Sequence, residues 1–136
     1  MQDLEKQVAV APSDHDLRWR LLRASFPATS PEARASRLNT LLWVIGNTPE
    51  AEIAGSPYAR VNHLTEPAAY EQAKALWLSI LDGDPANLKV LLNVARFFAT
   101  DEPKLSEELF TKGMQLDPEN PEWRTRLGML LHEPAL

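Results

Sequence analysis

Apolar residues recur at helical spacing along most of the chain. Leu17, Leu21, Leu22 and Phe26 share one helical face, and Leu38, Leu41, Leu42 and Ile45 share another. Leu88, Leu91, Leu92, Ala95 and Phe98 repeat the pattern further on. No segment alternates apolar and polar residues as a half-buried strand would. The spacing predicts a short helix over 2–10, with Leu4 and Val8 four apart. A second begins after Ser13 or Asp14 and is stopped by Pro27. Pro31 opens a longer helix that Gly46 can terminate. Gly55-Ser56-Pro57 opposes a continuous helix, so the irregular segment 49–64 reads as two short pieces, 49–54 and 57–64. Further helices are predicted over 68–81 (ended by Gly83), 86–99, 104–116 and 122–132.

Six prolines set the phase of these elements. Pro31, Pro49, Pro67, Pro85, Pro103 and Pro121 stand 18 residues apart. A capping residue precedes each by one or two positions: Ser30, Thr48, Thr65, Asp84, Asp101 and Asn120. Such side chains accept a bond from an orphan N–H, and proline is tolerated in the first turn because its own N–H is not needed there. Each proline is therefore expected to open a helix. A helix of about 14 residues spans about 21 Å and leaves about four residues for the turn. Evenly spaced antiparallel helices of one length make a helical-repeat solenoid.

Composition narrows the function classes. A chain of 136 residues reads as one domain, 1–136, with 44% apolar and 24% charged residues. The net charge is −5, with acids and bases interleaved, so the basic stripe of a nucleic-acid surface is missing. There is no run of about 18 apolar residues to suggest a membrane span. Residues 1–11 lack a signal-peptide core, and a cytoplasmic location is expected. Cysteine is absent, which removes disulfides and thiol chemistry. Met1 is compatible with an added start on a piece of a longer parent.

The second half carries a nameable pattern. Tyr70-x-x-Ala73-x-x-x-Trp77-x-x-Ile80, followed by Asp84-Pro85, resembles the second helix of a tetratricopeptide repeat and its closing Asp-Pro. Leu127-Gly128 resembles the small-residue pair of the family's first helix, and Val94-Ala95 does so loosely. Leu116-Asp117-Pro118-Glu119-Asn120 resembles the repeat junction. The corresponding prolines, Pro12, Pro49, Pro85 and Pro118, are spaced 37, 36 and 33 residues, against about 34 in the family. The good match covers 68–131, while 1–64 fits by helix spacing and departs at Gly55. The resemblance implies an all-α, right-handed superhelix of helical hairpins, TPR-like, with about seven to eight helices. Helices 2–10 and 121–132 then become half-repeats at the two ends, and Leu127, Leu130 and Leu131 have no following helix to cover them. A longer parent, or a homo-oligomer through the terminal helices, is expected.

The resemblance also implies a peptide groove lined by first helices. Lys89, Asn93 and Arg96 occupy groove-facing slots of one helix, and Glu122 and Arg126 those of the next. The peptide-binding or partner-binding residues are therefore expected to be Lys89, Asn93, Arg96 and Arg126. Glu122 stands where a lysine would help to grip a carboxylate tail, which argues against that specialised use. Substituting Asn93 and Arg126 together is expected to weaken partner capture without unfolding.

Catalytic chemistry has little support. His15 lies between Asp14 and Asp16, where a solvated capping turn outweighs a metal or acid–base role. His63 and His132 read as loop or helix-end residues. The pairs Asp82/Asp84, Asp101/Glu102, Glu107/Glu108 and Asp117/Glu119 fall mostly at helix starts and turns, where acids cap. Five glycines, none clustered, form no phosphate loop, and no cofactor is expected. Trp43 and Trp77 are expected in the core, whereas Trp19 and Trp123 are the better surface aromatics. The leading reading is a non-catalytic scaffold or adaptor that binds a protein or peptide partner, not nucleic acid or membrane. The second is a self-associating array segment. A small-ligand binder or enzyme ranks third, to be raised by a deep pocket with convergent polar groups.

Overall fold

The computed structural model describes residues 2–132, apart from the side chains of Gln2 and His132. Residues 1 and 133–136 of the expected domain, and the expected role of the His132 side chain, lie outside the described residues. Seven α-helices follow in order: α1 Gln2–Val10, α2 His15–Ala24, α3 Pro31–Asn47, α4 Pro67–Gly83, α5 Leu88–Phe98, α6 Pro103–Leu116 and α7 Pro121–His132. Two short 3-10 turns, Glu52–Gly55 and Pro57–Ala59, occupy the irregular stretch. Among the described residues there is no strand, and no helix is long and apolar enough to cross a membrane.

The prolines serve two purposes rather than one. Pro31, Pro67, Pro103 and Pro121 stand first in α3, α4, α6 and α7. Pro49 and Pro85 open nothing. Each is the second residue of a β-turn, closed by Ala51 N–H to Thr48 O at 3.1 Å and by Asn87 N–H to Asp84 O at 3.1 Å. Pro12 and Pro118 occupy the same place in turns closed by Asp14 N–H to Ala11 O at 3.1 Å and Asn120 N–H to Asp117 O at 3.2 Å. The helix expected from 86 therefore starts at Leu88, where Asn87 Oδ1 accepts from Val90 N–H at 3.2 Å. Proline pre-sets the backbone for either position, so its spacing alone does not separate them.

The caps divide in the same way. Ser30 caps α3 through Ala33 N–H at 3.1 Å, Asp14 caps α2 through Leu17 N–H at 3.1 Å, and Asn120 Oδ1 accepts from Glu122 N–H at 3.0 Å. Thr65 and Asp101 do not cap. The residues before Pro67 and Pro103 are Glu66 and Glu102, and neither side chain bonds its own helix start. Those carboxylates are free for contacts between helices.

Each helix packs on the next in the chain, and the first 3-10 turn also lies against α5 and α3. Trp77, Phe98, Leu22, Leu41, Ile45 and Leu91 are fully buried. The predicted faces of α3 and α5 hold, but α5 also buries Val90, Val94 and Phe97. Contacts with the 3-10 turn, α4 and α6 bury a broad face of it, while Leu88, Lys89, Leu92 and Arg96 form a partly exposed one. Phe26 falls beyond α2 and is half-exposed, lying under the Arg37 guanidinium and edge-on to Tyr58. Trp123 is 2% exposed, contrary to the expected surface position. Its ring covers Gly113 of α6, where a Cβ would overlap the indole, and its Nε1–H reaches Asp117 Oδ2 at 3.3 Å.

One polar network ties α4 to the α5–α6 turn. The buried Tyr70 hydroxyl donates to Glu102 Oε2, and Lys74 Nζ donates to Glu102 Oε1 at 3.0 Å. His63 lies in the loop before α4, and its Nδ1 is 2.6 Å from Asp101 Oδ1 in the α5–α6 turn. The Tyr70 hydrogen bond, with Lys74 assisting against desolvation, holds the Glu102 carboxyl below its ordinary range. A carboxyl lowered in the folded state adds stability above its unfolded value, about 4.3, and loses it as pH falls through the folded value. Acidification through that window should lower the denaturant midpoint of the native chain more steeply than that of Glu102→Gln. Parallel slopes in urea melts across pH 5 to 3 would show that Glu102 is not a source of the acid sensitivity.

Candidate functional site

The four residues expected to line a groove do not act alike. Lys89 is exposed on α5. Asn93, one turn later, is only 2% exposed, because the 49–55 segment covers it. Its amide donates to Pro49 O and Ala51 O, each at 2.9 Å. Behind it, Gly55 leaves room that a Cβ would take from Asn93 Oδ1. Asn93 thus latches the irregular segment to α5 and does not face an open groove. Its substitution tests folding, not partner capture.

Arg96 and Arg126 do come together. Both are half-buried, and with Arg60 they border a shallow cavity of about 80 Å³ floored by Phe110 and edged by Met129. Burial, then the neighbouring charges of Arg126 and Arg60, hold the Arg96 guanidinium below its ordinary value, with Glu52 and Glu122 opposing. Arg126 Nε bonds Glu122 Oε1 at 3.0 Å, while Arg60 and Arg96 make no ion pair among the described residues. Three like charges at one cavity repel, and an anion among them would relieve the repulsion.

Arg60 was not legible as a site residue, since it follows a 3-10 turn where no periodicity applies. A second cluster was also missed. Arg37 is 5% exposed, and its Nη2 donates to Tyr58 O at 2.6 Å and Arg60 O at 2.9 Å. It therefore clamps the second 3-10 turn onto α3. A signal existed: Arg37 precedes Leu41 and Val44 by four and seven residues, which places it on the inward stripe.

His15, Trp19 and Trp43 lie close together. His15 is exposed, 5.6 Å from the Trp43 ring, and Arg18 lies 4.7 Å over that ring. Trp19 donates to Thr48 Oγ1 at 3.2 Å. Among the described residues, no three His, Cys, Asp or Glu side chains cluster as metal ligands would.

No protein-family model matches the chain, and comparisons with curated proteins and with solved structures find no significant similarity. The reading of function therefore rests on the residues themselves.

Proposed function

We propose that this chain is a non-catalytic interaction module, built as a tetratricopeptide-like right-handed superhelix, that takes an acidic peptide segment against Arg60, Arg96 and Arg126. The convergence of these three guanidiniums on one shallow, partly apolar cavity carries the reading. Guanidinium forks bind carboxylates with charge-assisted bonds, and the exposed Met129 side chain suits a peptide's apolar atoms. The four proline turns, spaced 37, 36 and 33 residues, support the repeat architecture.

Fluorescence anisotropy with a labelled Glu-rich hexapeptide tests this. Binding should weaken with salt, and Arg96→Glu with Arg126→Glu should cost at least about tenfold, since a hydrogen bond to a charged group contributes about 1.5–3 kcal/mol. Equal affinity for a neutral hexapeptide, or an unaffected double variant, would reject the groove.

A second reading has its own support at the chain's far end. Met129 and Leu131 are 61% and 57% exposed on α7, large apolar side chains that self-association would cover. Light scattering at two concentrations separates this from a peptide-binding monomer.

A further inference from the structure

A larger cavity, about 480 Å³, opens between the α2–α3 turn, residues 57–66 and the α5–α6 turn. Its volume falls within the range of small-molecule sites, about 300–1,000 Å³. Arg34 and Arg37 enter its wall from α3, and Arg60 from the segment that follows the second 3-10 turn. Arg37 is the unusual member. Its guanidinium is withdrawn from water, yet no carboxylate lies within ion-pair distance of it among the described residues. Its Nε has no hydrogen-bond partner among the described residues. The clamp on Tyr58 O and Arg60 O accounts for Nη2, and the Phe26 ring lies under the guanidinium, but no carboxylate bonds the charge directly.

Two carboxylates border the same space. Asp101 is already engaged by His63 at 2.6 Å, which leaves Glu66 as the counter-charge, acting on Arg37 from beyond contact distance. Three guanidiniums against one free carboxylate leave the cavity short of negative charge. Arg34 and Arg60 make no ion pair among the described residues either. Neutral donors are present too. Asn62 Oδ1 accepts from Leu64 N–H at 2.8 Å, so its amide NH2 is left to donate. The rest of the wall is apolar at Phe26, Pro27, Pro57 and Val61 and polar at Thr65 and Thr100.

We propose that this cavity binds a small organic carboxylate, with its anionic head beside Arg34, Arg37 and Arg60 and its apolar body against Phe26 and Val61. An apolar wall adjoining a basic one selects an amphipathic acid over a fully hydrated anion such as phosphate, whose desolvation the apolar wall would not offset. The site is separate from the Arg96–Arg126 ledge and meets it only through Arg60.

Titration of the full chain with phenylacetate, followed by amide NMR, tests the assignment. Saturable shifts are expected at Val61, Asn62 and Thr100, with phenylacetamide and inorganic phosphate each weaker by about tenfold or more. Arg34→Ala removes an exposed side chain outside the peptide ledge, and it should weaken phenylacetate by about threefold to tenfold with the fold retained. Arg96→Glu with Arg126→Glu should leave phenylacetate affinity unchanged, so failure of the peptide ledge and failure of this cavity are distinguishable. The assignment is overturned by any of four results: no saturable response, equal binding of the amide, tighter binding of phosphate, or an Arg34→Ala variant that binds as the native chain does.

Discussion

Trp77→Ala is expected to cost about 3–5 kcal/mol of folding stability, read as a lowered midpoint in urea denaturation. Trp77 is 0% exposed, and it shares the inward face of α4 with Tyr70, Ala73 and Leu81. Removing the indole deletes its contacts and leaves a void that the flanking α-helices cannot close without shifting. A domain of this size is typically stable by about 5–15 kcal/mol, so the loss is a large fraction of the whole. The contribution is almost purely packing, because the buried indole Nε1–H has no hydrogen-bond partner among the described residues. Trp77→Phe should therefore be much milder than the alanine variant, since it removes an unsatisfied donor along with part of the ring volume. A Trp77→Ala chain that melts within 1 kcal/mol of the native one would contradict this packing.

Asn93→Ala should cost about 2–4 kcal/mol, although it removes a side chain that looks suited to a polar groove. Pro49 O and Ala51 O lose the amide that bonds them both, in a place where water does not readily substitute. Gly55→Ala attacks the same latch from the other side, because its methyl would occupy the space of Asn93 Oδ1. The two substitutions break one contact, so the double variant should lose clearly less than the two single losses combined. Additive losses in that cycle would show that Gly55 and Asn93 act independently. Hydrogen exchange should show the 49–59 segment opening in either variant before the rest of the chain.

Helix number and order were readable because apolar spacing is a local property. Leu41 with Ile45, and Leu91 with Ala95 and Phe98, mark inward faces that no distant contact reverses. The failures lie where distant contacts decide. Asn93 sits four residues from exposed Lys89, and only the packing of the 49–55 segment on α5 turns the one inward and leaves the other in solvent. Trp123 has charged neighbours that suggest a surface position, yet Gly113 ten residues earlier supplies the flat bed that buries it. The proline ruler was real but mixed two roles, since Pro85 in its turn and Pro103 at the start of α6 satisfy the same local constraint. The basic clusters were hardest to read. Arg34, Arg37, Arg60, Arg96 and Arg126 are scattered over 93 positions of an acidic chain, and folding alone assembles them.

Successive helices of similar length and polarity can dock on the wrong neighbour during folding at little immediate cost. A chain of stacked helices needs features that favour one docking over the others. The Asn93–Gly55 pairing is such a feature, since a side chain at position 55 would collide with the amide that bonds Pro49 O and Ala51 O. Misdocked arrangements forfeit that fit, so one small amide works as an address label that tells the helices where they belong.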